Sequence, residues 1–348
     1  MENQNWEMDL EKAQELAQVK KEILQEIGKV IIGQKDVVEL LLISLMSLGH
    51  SLFVGVPGLA KTLLVSTLAD VLSLKFNRIQ FTPDLMPSDI TGSEVLENDT
   101  LTGKRFFRFI QGPIFCNILL ADEINRASPK TQAALLQAMQ ERKVTVSGQT
   151  YNIAPPFLVF ATQNPIEQEG TYPLPEAELD RFMFQIDVDY PSLEEEIEIA
   201  KTHRDSYRKE LRKILDAERI LEYTELIQRV PISEYVVSYA VELVRATRPN
   251  NPLSTEAVKK WVAWGAGPRA SQFLILGSKA RAILEGRFTP TTDDVRFLAP
   301  FVLKHRLVLN FRAEAEGIGP MDVINDILNT ARHKKTGMSY SASSPSVK

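Results

Sequence analysis

Short apolar runs alternate with helical patterns along the first 190 residues of the chain. Five of these runs are candidate strands, at residues 50–55, 76–81, 117–122, 157–162 and 182–188. A helical pattern at residues 130–142 carries apolar side chains at Ala134, Leu135, Ala138 and Met139. Strands that alternate with helices predict an α/β fold with a parallel five-stranded sheet and helices on both faces.

The pattern changes near residue 190, after which it is helical throughout. The clearest helical segments are residues 259–267, 269–286 and 291–307, the last with Thr291 or Thr292 as the N-cap. The final residues are rich in serine and have little to bury, so we expect disorder there. The sequence predicts an α/β domain at 1–190, an all-helical domain at 191–334 and a disordered tail at 335–348.

Composition indicates an ordinary soluble globular protein, because 44% of the 348 residues are hydrophobic and 24% are charged. The single cysteine, Cys116, cannot form an internal disulfide, and the chain does not begin like a secretory signal. The most apolar stretch, residues 37–56, is interrupted by Glu39, Gly49 and His50. It therefore predicts a buried helix followed by a buried strand rather than a membrane span, and we expect a cytoplasmic protein.

Charge is distributed unevenly along the chain. Residues 1–190 carry 16 basic and 25 acidic residues, whereas residues 191–348 carry 24 and 20. This balance argues mildly against a general nucleic-acid binder, which would be expected to present a basic surface. The histidines lack the spacing of metal ligands, so no structural metal site is predicted; they are His50, His203, His305 and His333.

Residues 54–62, VGVPGLAKT, nearly match a phosphate-binding loop. The usual pattern is G-x-x-x-x-G-K-[ST], and Gly55, Lys61 and Thr62 stand at the right spacing. Ala60 replaces the second glycine. The segment follows a strand and precedes an apolar helical run, which would place backbone N–H groups and a helix N-terminus around phosphates.

The substitution of alanine is compatible with a phosphate loop. The methyl group of Ala60 leaves room for close approach of the backbone if its φ is negative. The Pro57-Gly58 pair supplies a tight turn of its own. The residues expected to bind the nucleotide are Gly55, Pro57, Gly58, Leu59, Ala60, Lys61, Thr62 and Leu63.

An acidic pair follows the third candidate strand, in the run ILLADE at residues 118–123. Two adjacent carboxylates on a buried strand are costly unless they emerge at its end and have partners. In the functional interpretation Asp122 helps Thr62 to hold Mg²⁺, and Glu123 polarises the attacking water. The alternative is a strand that ends in a solvated acidic turn.

Asn164 follows the fourth candidate strand, in the run FLVFATQNP. An asparagine there can align a water near the γ-phosphate of ATP, although polar residues at strand ends are often only turns. The loop, the acidic pair and Asn164 would all lie at the carboxyl edge of one sheet, where open α/β folds bind ligands. The sequence therefore predicts a nucleotide site.

With these motifs the chain resembles an AAA+ ATPase of the MoxR family. The matching runs are GVPGLAKT, LLADEINRASPKTQAALLQAMQER, FATQNPIEQEGTYPLPEAELDRF and GPRAS, and the resemblance covers about residues 25–330. In that family the position of Ala60 is commonly alanine. The resemblance implies ATP and Mg as cofactors, a homo-oligomeric ring such as a hexamer, and hydrolysis that drives remodelling or maturation of a client protein.

The resemblance also implies roles for single residues. Asn164 looks like the sensor-1 residue, Arg269 like the sensor-2 arginine of the helical lid, and Arg181 like an arginine finger that reaches the neighbouring subunit. Fixed guanidinium groups would stabilise the charge of the phosphoryl-transfer transition state. The alternatives are that Arg181 pairs with Asp180 or Glu178, and that Arg269 only caps or solvates its helix.

By the same resemblance, the adenine pocket would involve Val30, Ile31 and Gly33. Proteins of this family commonly act with partners that bear von Willebrand factor A domains. Two inserted hairpins are also expected, at residues 93–109 and 143–153, the second with its turn at or near Ser147-Gly148. The first contains a run of basic and aromatic residues, 104–109, which fits either alternate packing of a strand or binding of single-stranded nucleic acid.

Two rival functions stay open. The first is a nucleic-acid motor or loader of the same fold. The second is a switch that binds ATP and assembles but hydrolyses almost none. Glu123 argues against the switch, because a protein that only binds ATP needs no base.

Overall fold

The computed structural model of the protein describes residues 2–98, 105–166, 170–201 and 210–334. Lys104, His203 and the predicted tail at 335–348 lie outside the described residues.

Strands and helices alternate through the first part of the chain. The strands are β1 (Ser51–Val54), β2 (Phe76–Gln80), β3 (Gly92–Asn98), β4 (Arg105–Gln111), β5 (Ile118–Asp122), β6 (Lys143–Val146), β7 (Gln149–Asn152), β8 (Leu158–Gln163), β9 (Phe184–Asp187), β10 (Val262–Trp264) and β11 (Val308–Leu309). The helices are α1 (Glu2–Ile27), α2 (Lys35–Met46), α3 (Lys61–Val71), α4 (Pro87–Thr91), α5 (Pro129–Glu141), α6 (Glu176–Leu179), α7 (Leu193–Lys201), α8 (Ala217–Arg229), α9 (Glu234–Ala246), α10 (Glu256–Trp261), α11 (Pro268–Leu284), α12 (Thr292–Leu303), α13 (Phe311–Ala315) and α14 (Pro320–Lys334).

The central sheet is parallel and has five strands in the order β2-β5-β8-β1-β9. The predicted α/β fold and its five strands are confirmed. Successive residues of β5 point to opposite faces of the sheet, so Leu119 packs in the core on one face and Leu120 in the core on the other. Helices cover both faces, which is why β5 and β8 are almost continuously apolar.

The arms of both predicted hairpins pair, and the turn of the first, at residues 99–104, lies outside the described residues. Strands β3 and β4 pair antiparallel, and β6 pairs with β7 around a turn at Ser147-Gly148. The hairpins contact each other through Phe109, whose ring stacks on Tyr151 with centroids 4.0 Å apart. Alternate packing of aromatic residues, one of the two interpretations of this run, holds only for Phe109, since Phe106 and Phe107 are exposed.

The described residues of the C-terminal region, from α7 to α14, form helices and one short antiparallel pair, β10 with β11. The prediction of continuous helix over residues 259–267 is wrong beyond Trp261. Asn310 explains the end of α10, because its side chain donates to the carbonyl of Lys260 and its backbone N–H to that of Trp261. The chain then pairs with β11 instead of continuing as helix. Helix α12 begins as predicted, with Thr291 as its N-cap.

The apolar stretch at residues 37–56 forms most of α2 followed by β1, as the sequence predicts. Among the described residues, no helix has both the length and the apolar character needed to cross a membrane.

His50 is buried just before β1. Its Nδ1 accepts a hydrogen bond of 2.9 Å from the backbone N–H of Val159, and its Nε2 lies 3.2 Å from the carbonyl oxygen of Met139. Burial lowers the pKa of the His50 imidazole to about 4. The folded protein therefore holds this side chain in its neutral form at neutral pH.

We expect acid to destabilise the protein through His50. Its ordinary pKa is 6.5, so between that value and about 4 the unfolded chain binds a proton that the folded chain does not. The contribution of neutral His50 to the free energy of unfolding is fully present above pH 6.5 and decreases as the pH falls below that value. From pH 7 to pH 5 the loss should be about 2 kcal/mol. Urea unfolding at both pH values should show a smaller loss for His50→Asn, and an equal loss in both proteins would contradict the assignment.

Candidate functional site

The predicted phosphate loop connects β1 to α3. Strand β1 ends at Val54, and α3 begins at Lys61. The positive end of the α3 dipole and its first backbone N–H groups therefore face the space enclosed by the loop, which favours an anion there. Thr62 lies half-buried in the first turn of the helix.

Gly55 and Gly58 are required for different reasons. A β-carbon on Gly55 would lie 2.4 Å from the carbonyl oxygen of Val188, so no side chain fits. Gly58 has φ +89°, in the left-handed region, with open space around it. Ala60 has φ +56°. The condition of a negative φ at Ala60 is therefore not met, and the loop holds an alanine in a conformation that costs about 1 kcal/mol.

Lys61 lies between the loop and the acidic pair. Its Nζ donates to the carbonyl oxygen of Gly55 at 2.6 Å. Burial lowers the pKa of the Lys61 ammonium below its usual range, and the negative charges of Asp122 and Glu123 oppose that shift. The loop lysine and the acidic pair therefore share one electrostatic environment.

The acidic pair emerges at the carboxyl end of β5, where Thr162 of β8 holds both residues. The Thr162 hydroxyl donates to Asp122 Oδ1 at 2.6 Å and accepts from the backbone N–H of Glu123 at 2.8 Å. The other Asp122 oxygen accepts from Arg78 at 2.7 Å. Hydroxyl and carboxylate oxygens are ligands that Mg²⁺ prefers, so the donor set of Thr62 and Asp122 fits this ion.

Glu123 has two side-chain partners that the sequence did not reveal. Its Oε2 accepts from Gln80 Nε2 and from Arg126 Nη1, each at 2.8 Å. Gln80 is the last residue of β2, and Arg126 follows in the 3₁₀ turn Ile124–Arg126. Glu123 itself has φ +56°, a costly conformation for a residue with a side chain. Its carboxylate is thus held in one orientation from two sides, which rules out a freely solvated acidic turn.

Asn164 follows β8 directly and is buried. Its Oδ1 accepts from the backbone N–H of Ile166 at 3.1 Å. Because β8 lies between β5 and β1 in the sheet, Asn164 emerges between the acidic pair and the phosphate loop. The structure thus brings the loop, the acidic pair and Asn164 to one edge of the sheet, as predicted.

The segment proposed for adenine connects α1 to α2. Val30 and Ile31 are buried there, and Gly33 lies against the carboxylate of Glu195. The next residue, Gln34, donates from Nε2 to the carbonyl oxygen of Leu59 at 3.3 Å. This bond joins the segment to the phosphate loop. The adenine role of the segment stays a prediction.

Arg181 lies before β9, so it is at the amino edge of the sheet, opposite to the acidic pair. Its Nη1 donates to the carbonyl oxygen of Leu136 at 3.0 Å and to Gln140 Oε1 at 2.6 Å, both on α5. Its hydrogen bonds thus go to α5, whereas the simpler interpretation was an ion pair with a neighbouring carboxylate, Asp180 or Glu178.

The carboxylate of Asp180 is instead bonded to two arginines of the C-terminal region. Arg269, at the start of α11, donates to Asp180 Oδ2 at 3.2 Å, and Arg306 donates from Nε to Oδ1 at 2.7 Å. Arg269 is therefore next to the segment that carries Arg181. Its role as a phosphate sensor stays a prediction, and no sequence motif pointed to Arg306.

Models of known families match both parts of the chain. The family described as "ATPase family associated with various cellular activities (AAA)" matches residues 50–184, and the AAA lid domain matches residues 254–327. A crystal structure described as a candidate ATPase of Cytophaga hutchinsonii is 42% identical, with a TM-score of 0.85 over 94% of this chain and 98% of that one.

Similarity to curated proteins supports the same assignment as these family models. Chaperone MoxR1 of Mycobacterium tuberculosis is 46% identical over 310 residues, which are 88% of this chain and 80% of that protein. Protein MoxR of Methylorubrum extorquens is 33% identical over 301 residues, 82% of this chain and 86% of that protein. These matches extend over both the sheet and the helical region, and they show that the chain belongs to the MoxR family of AAA+ ATPases.

Proposed function

We propose that this protein forms a ring in which hydrolysis of ATP, with Mg²⁺, drives remodelling or maturation of a client protein. One observation supports the proposal above all. The loop that leads to Lys61, the acidic pair and Asn164 lie at the carboxyl ends of three adjacent parallel strands, at the same edge of the sheet. A nucleotide in the loop would have its terminal phosphate next to a cation, a base and an amide.

Each group at this edge has a distinct task. The ammonium of Lys61 binds the β- and γ-phosphates as a point charge. Thr62 and Asp122 would hold Mg²⁺, which supplies charge neutralisation between the phosphates when bound. Glu123 accepts the proton of the attacking water, and Asn164 orients that water. The bonds from Gln80 and Arg126 both go to Oε2 of Glu123, so Oε1 is the oxygen that would accept the proton.

Arg181 completes the site of the neighbouring subunit in this proposal. Strand β9 has four residues, so it spans about 13 Å between the amino and carboxyl edges of the sheet. The side chain of Arg181 is bonded to α5 and is remote from its own acidic pair. A head-to-tail ring, with a heterologous interface, would bring it to the next subunit's phosphates.

Membership of the family supports a proposal for the biological setting. We propose a hexameric ring in the cytoplasm that acts on a client protein together with a partner bearing a von Willebrand factor A domain. The relative MoxR1 is named a chaperone, which supports a client-directed activity.

A nucleic-acid-stimulated motor is a second candidate. Phe106 and Phe107 are exposed on β4 next to the exposed Arg105, and aromatic and basic side chains together can stack on bases and contact phosphates. Stimulation of hydrolysis by single-stranded DNA or RNA, lost when Arg105 and Arg108 are replaced by alanine, would support this candidate. An unchanged rate with nucleic acid would remove it.

Two substitutions test the nucleotide site. Lys61→Ala should abolish ATP binding because it removes the cation that faces the phosphates. Glu123→Gln should retain binding and lose hydrolysis by at least about 100-fold, because the amide is not a base. Binding of a fluorescent ATP analogue and phosphate release measure the two effects separately.

The controls for this test are Lys75→Ala and Glu141→Gln, which change exposed residues elsewhere in the α/β domain. Both should bind and hydrolyse ATP like the unaltered protein. Unchanged ATP affinity of Lys61→Ala would reject the loop assignment, and a normal rate for Glu123→Gln would remove that residue from the mechanism.

Mixing inactive proteins tests whether the site is shared. Arg181→Ala should lower hydrolysis by about 10³- to 10⁵-fold, and Glu123→Gln should be almost inactive. In a random ring of the two, roughly one interface in four joins an intact Glu123 to an intact Arg181 of its neighbour. The mixture should therefore hydrolyse ATP although neither protein does alone. If mixed rings form and stay inactive, Arg181 does not act across the interface.

A further inference from the structure

Arg306 of the helical region binds the short segment that carries Arg181. Its Nη2 donates to the carbonyl oxygen of Asp180 at 2.8 Å and to that of Phe182 at 2.6 Å. Its Nε donates to the carboxylate of Asp180 at 2.7 Å. The two carbonyl groups belong to the residues immediately before and after Arg181, so one guanidinium fixes the backbone on both sides of it.

This guanidinium is almost completely buried, with 2% of its side chain exposed. Burial lowers the pKa of Arg306 to about 10, against the opposing charge of Asp180, so the side chain is still a cation at neutral pH. It also lies over the ring of Phe273, 5.1 Å from the centroid. A buried cation is tolerated only where its donors are satisfied. The carbonyl contacts therefore leave the segment little freedom to shift.

The side chain of Arg181 is held by α5. Its guanidinium binds Leu136 and Gln140 of that helix, whereas its backbone is held by Arg306. The direction of the side chain thus depends on two anchors. One anchor is in the sheet domain and the other is in the helical region.

We propose that Arg306 is a positioning residue for Arg181, and that it therefore serves the active site of the neighbouring subunit. This inference rests on the proposed function, in which Arg181 acts across the interface. Arg306 does not touch the nucleotide. It sets the backbone from which Arg181 extends, and a displacement of about 1 Å at a catalytic group can lower a rate about 100-fold.

A simpler role for Arg306 would be to fasten the helical region to the sheet within its own chain. The two roles predict different defects. A fastening residue would impair every function of its own subunit, including hydrolysis at its own phosphate loop. A positioning residue for Arg181 would leave its own site intact and impair only the site that its subunit completes.

The variant Arg306→Lys separates these roles. Lysine retains the charge but cannot make the forked set of bonds to two carbonyl groups and a carboxylate. Hydrolysis should fall about 10- to 100-fold, while ATP affinity changes less than about twofold because the phosphate loop is at the opposite edge of the sheet.

Arg296→Lys is the matched control. Arg296 is also an arginine of the helical region, on α12, and it donates to Tyr239 Oη at 3.0 Å and to the carbonyl oxygen of Leu328 at 2.8 Å. Both partners belong to the helical region itself. Its replacement should leave the rate unchanged.

Mixed rings give the decisive result. Arg306→Lys mixed with Glu123→Gln should recover up to roughly a quarter of the normal rate, because the first protein supplies an intact site and the second an intact, well-positioned Arg181. Arg306→Lys mixed with Arg181→Ala should not exceed the rate of Arg306→Lys alone, and per subunit should be about half of it in an equal mixture, since neither protein supplies a well-positioned Arg181.

Other outcomes overturn the inference. A normal rate for Arg306→Lys, recovery with Arg181→Ala, or recovery with neither partner would each show that Arg306 does not act through Arg181. The mixture of Arg181→Ala with Glu123→Gln distinguishes failure of this inference from failure of the proposed function. If that mixture stays inactive in mixed rings, the shared active site itself is wrong. Should Arg306→Lys fail to fold, Arg306→Gln, which keeps an amide donor near these carbonyl groups and leaves the Asp180 carboxylate bonded to Arg269, replaces it and should recover with Glu123→Gln only.

Discussion

The hydroxyl group of Thr162 fixes the position of the acidic pair relative to the rest of the sheet. It donates to Asp122 and accepts from the backbone N–H of Glu123, and the threonine is only 2% exposed. Water does not compete for these bonds, so the loss of either would leave a polar group unsatisfied. Because β5 and β8 pair in register up to Ala121 and Ala161, the next residues, Asp122 and Thr162, lie side by side.

The residue after Thr162 on β8 connects the same strand end to the phosphate loop. The carbonyl oxygen of Gln163 accepts from the backbone N–H of Gly55 at 3.3 Å, which ties the phosphate loop to β8. Asn164 follows. Two consecutive residues at the end of the central strand, Thr162 and Gln163, thus hold the acidic pair on one side and the loop on the other. The parallel register of three strands is therefore sufficient to assemble groups that are more than 100 residues apart in the chain.

The sequence was sufficient to predict the fold and the main groups at this edge, because those signals are local. A strand followed by a loop of fixed spacing identifies Lys61, and an acidic pair at a strand end identifies Asp122 and Glu123. Partners distant in the chain gave no such signal. Gln80 and Arg306 look like ordinary polar residues until the fold brings them next to Glu123 and Asp180.

The backbone of the phosphate loop also departs from expectation. Close approach of the backbone at the small Ala60 was expected on the condition of a negative φ, whereas the structure has this residue in the left-handed region. Size alone does not determine φ, because the surrounding loop and the start of α3 constrain it. A local strain of this kind is maintained by its surroundings and cannot be inferred from the residue type.

The close approach of Gly55 to Val188 has a mechanical consequence. Val188 follows β9 at the exit from the sheet, and the chain continues from there into the helical region. With only 2.4 Å between a β-carbon position on Gly55 and the Val188 carbonyl oxygen, the two backbones are in contact without any side chain between them. The loop and the connection to the helical region are therefore packed backbone against backbone. A displacement of the loop toward Val188 would require that connection to shift as well, because no deformable side chain lies between them.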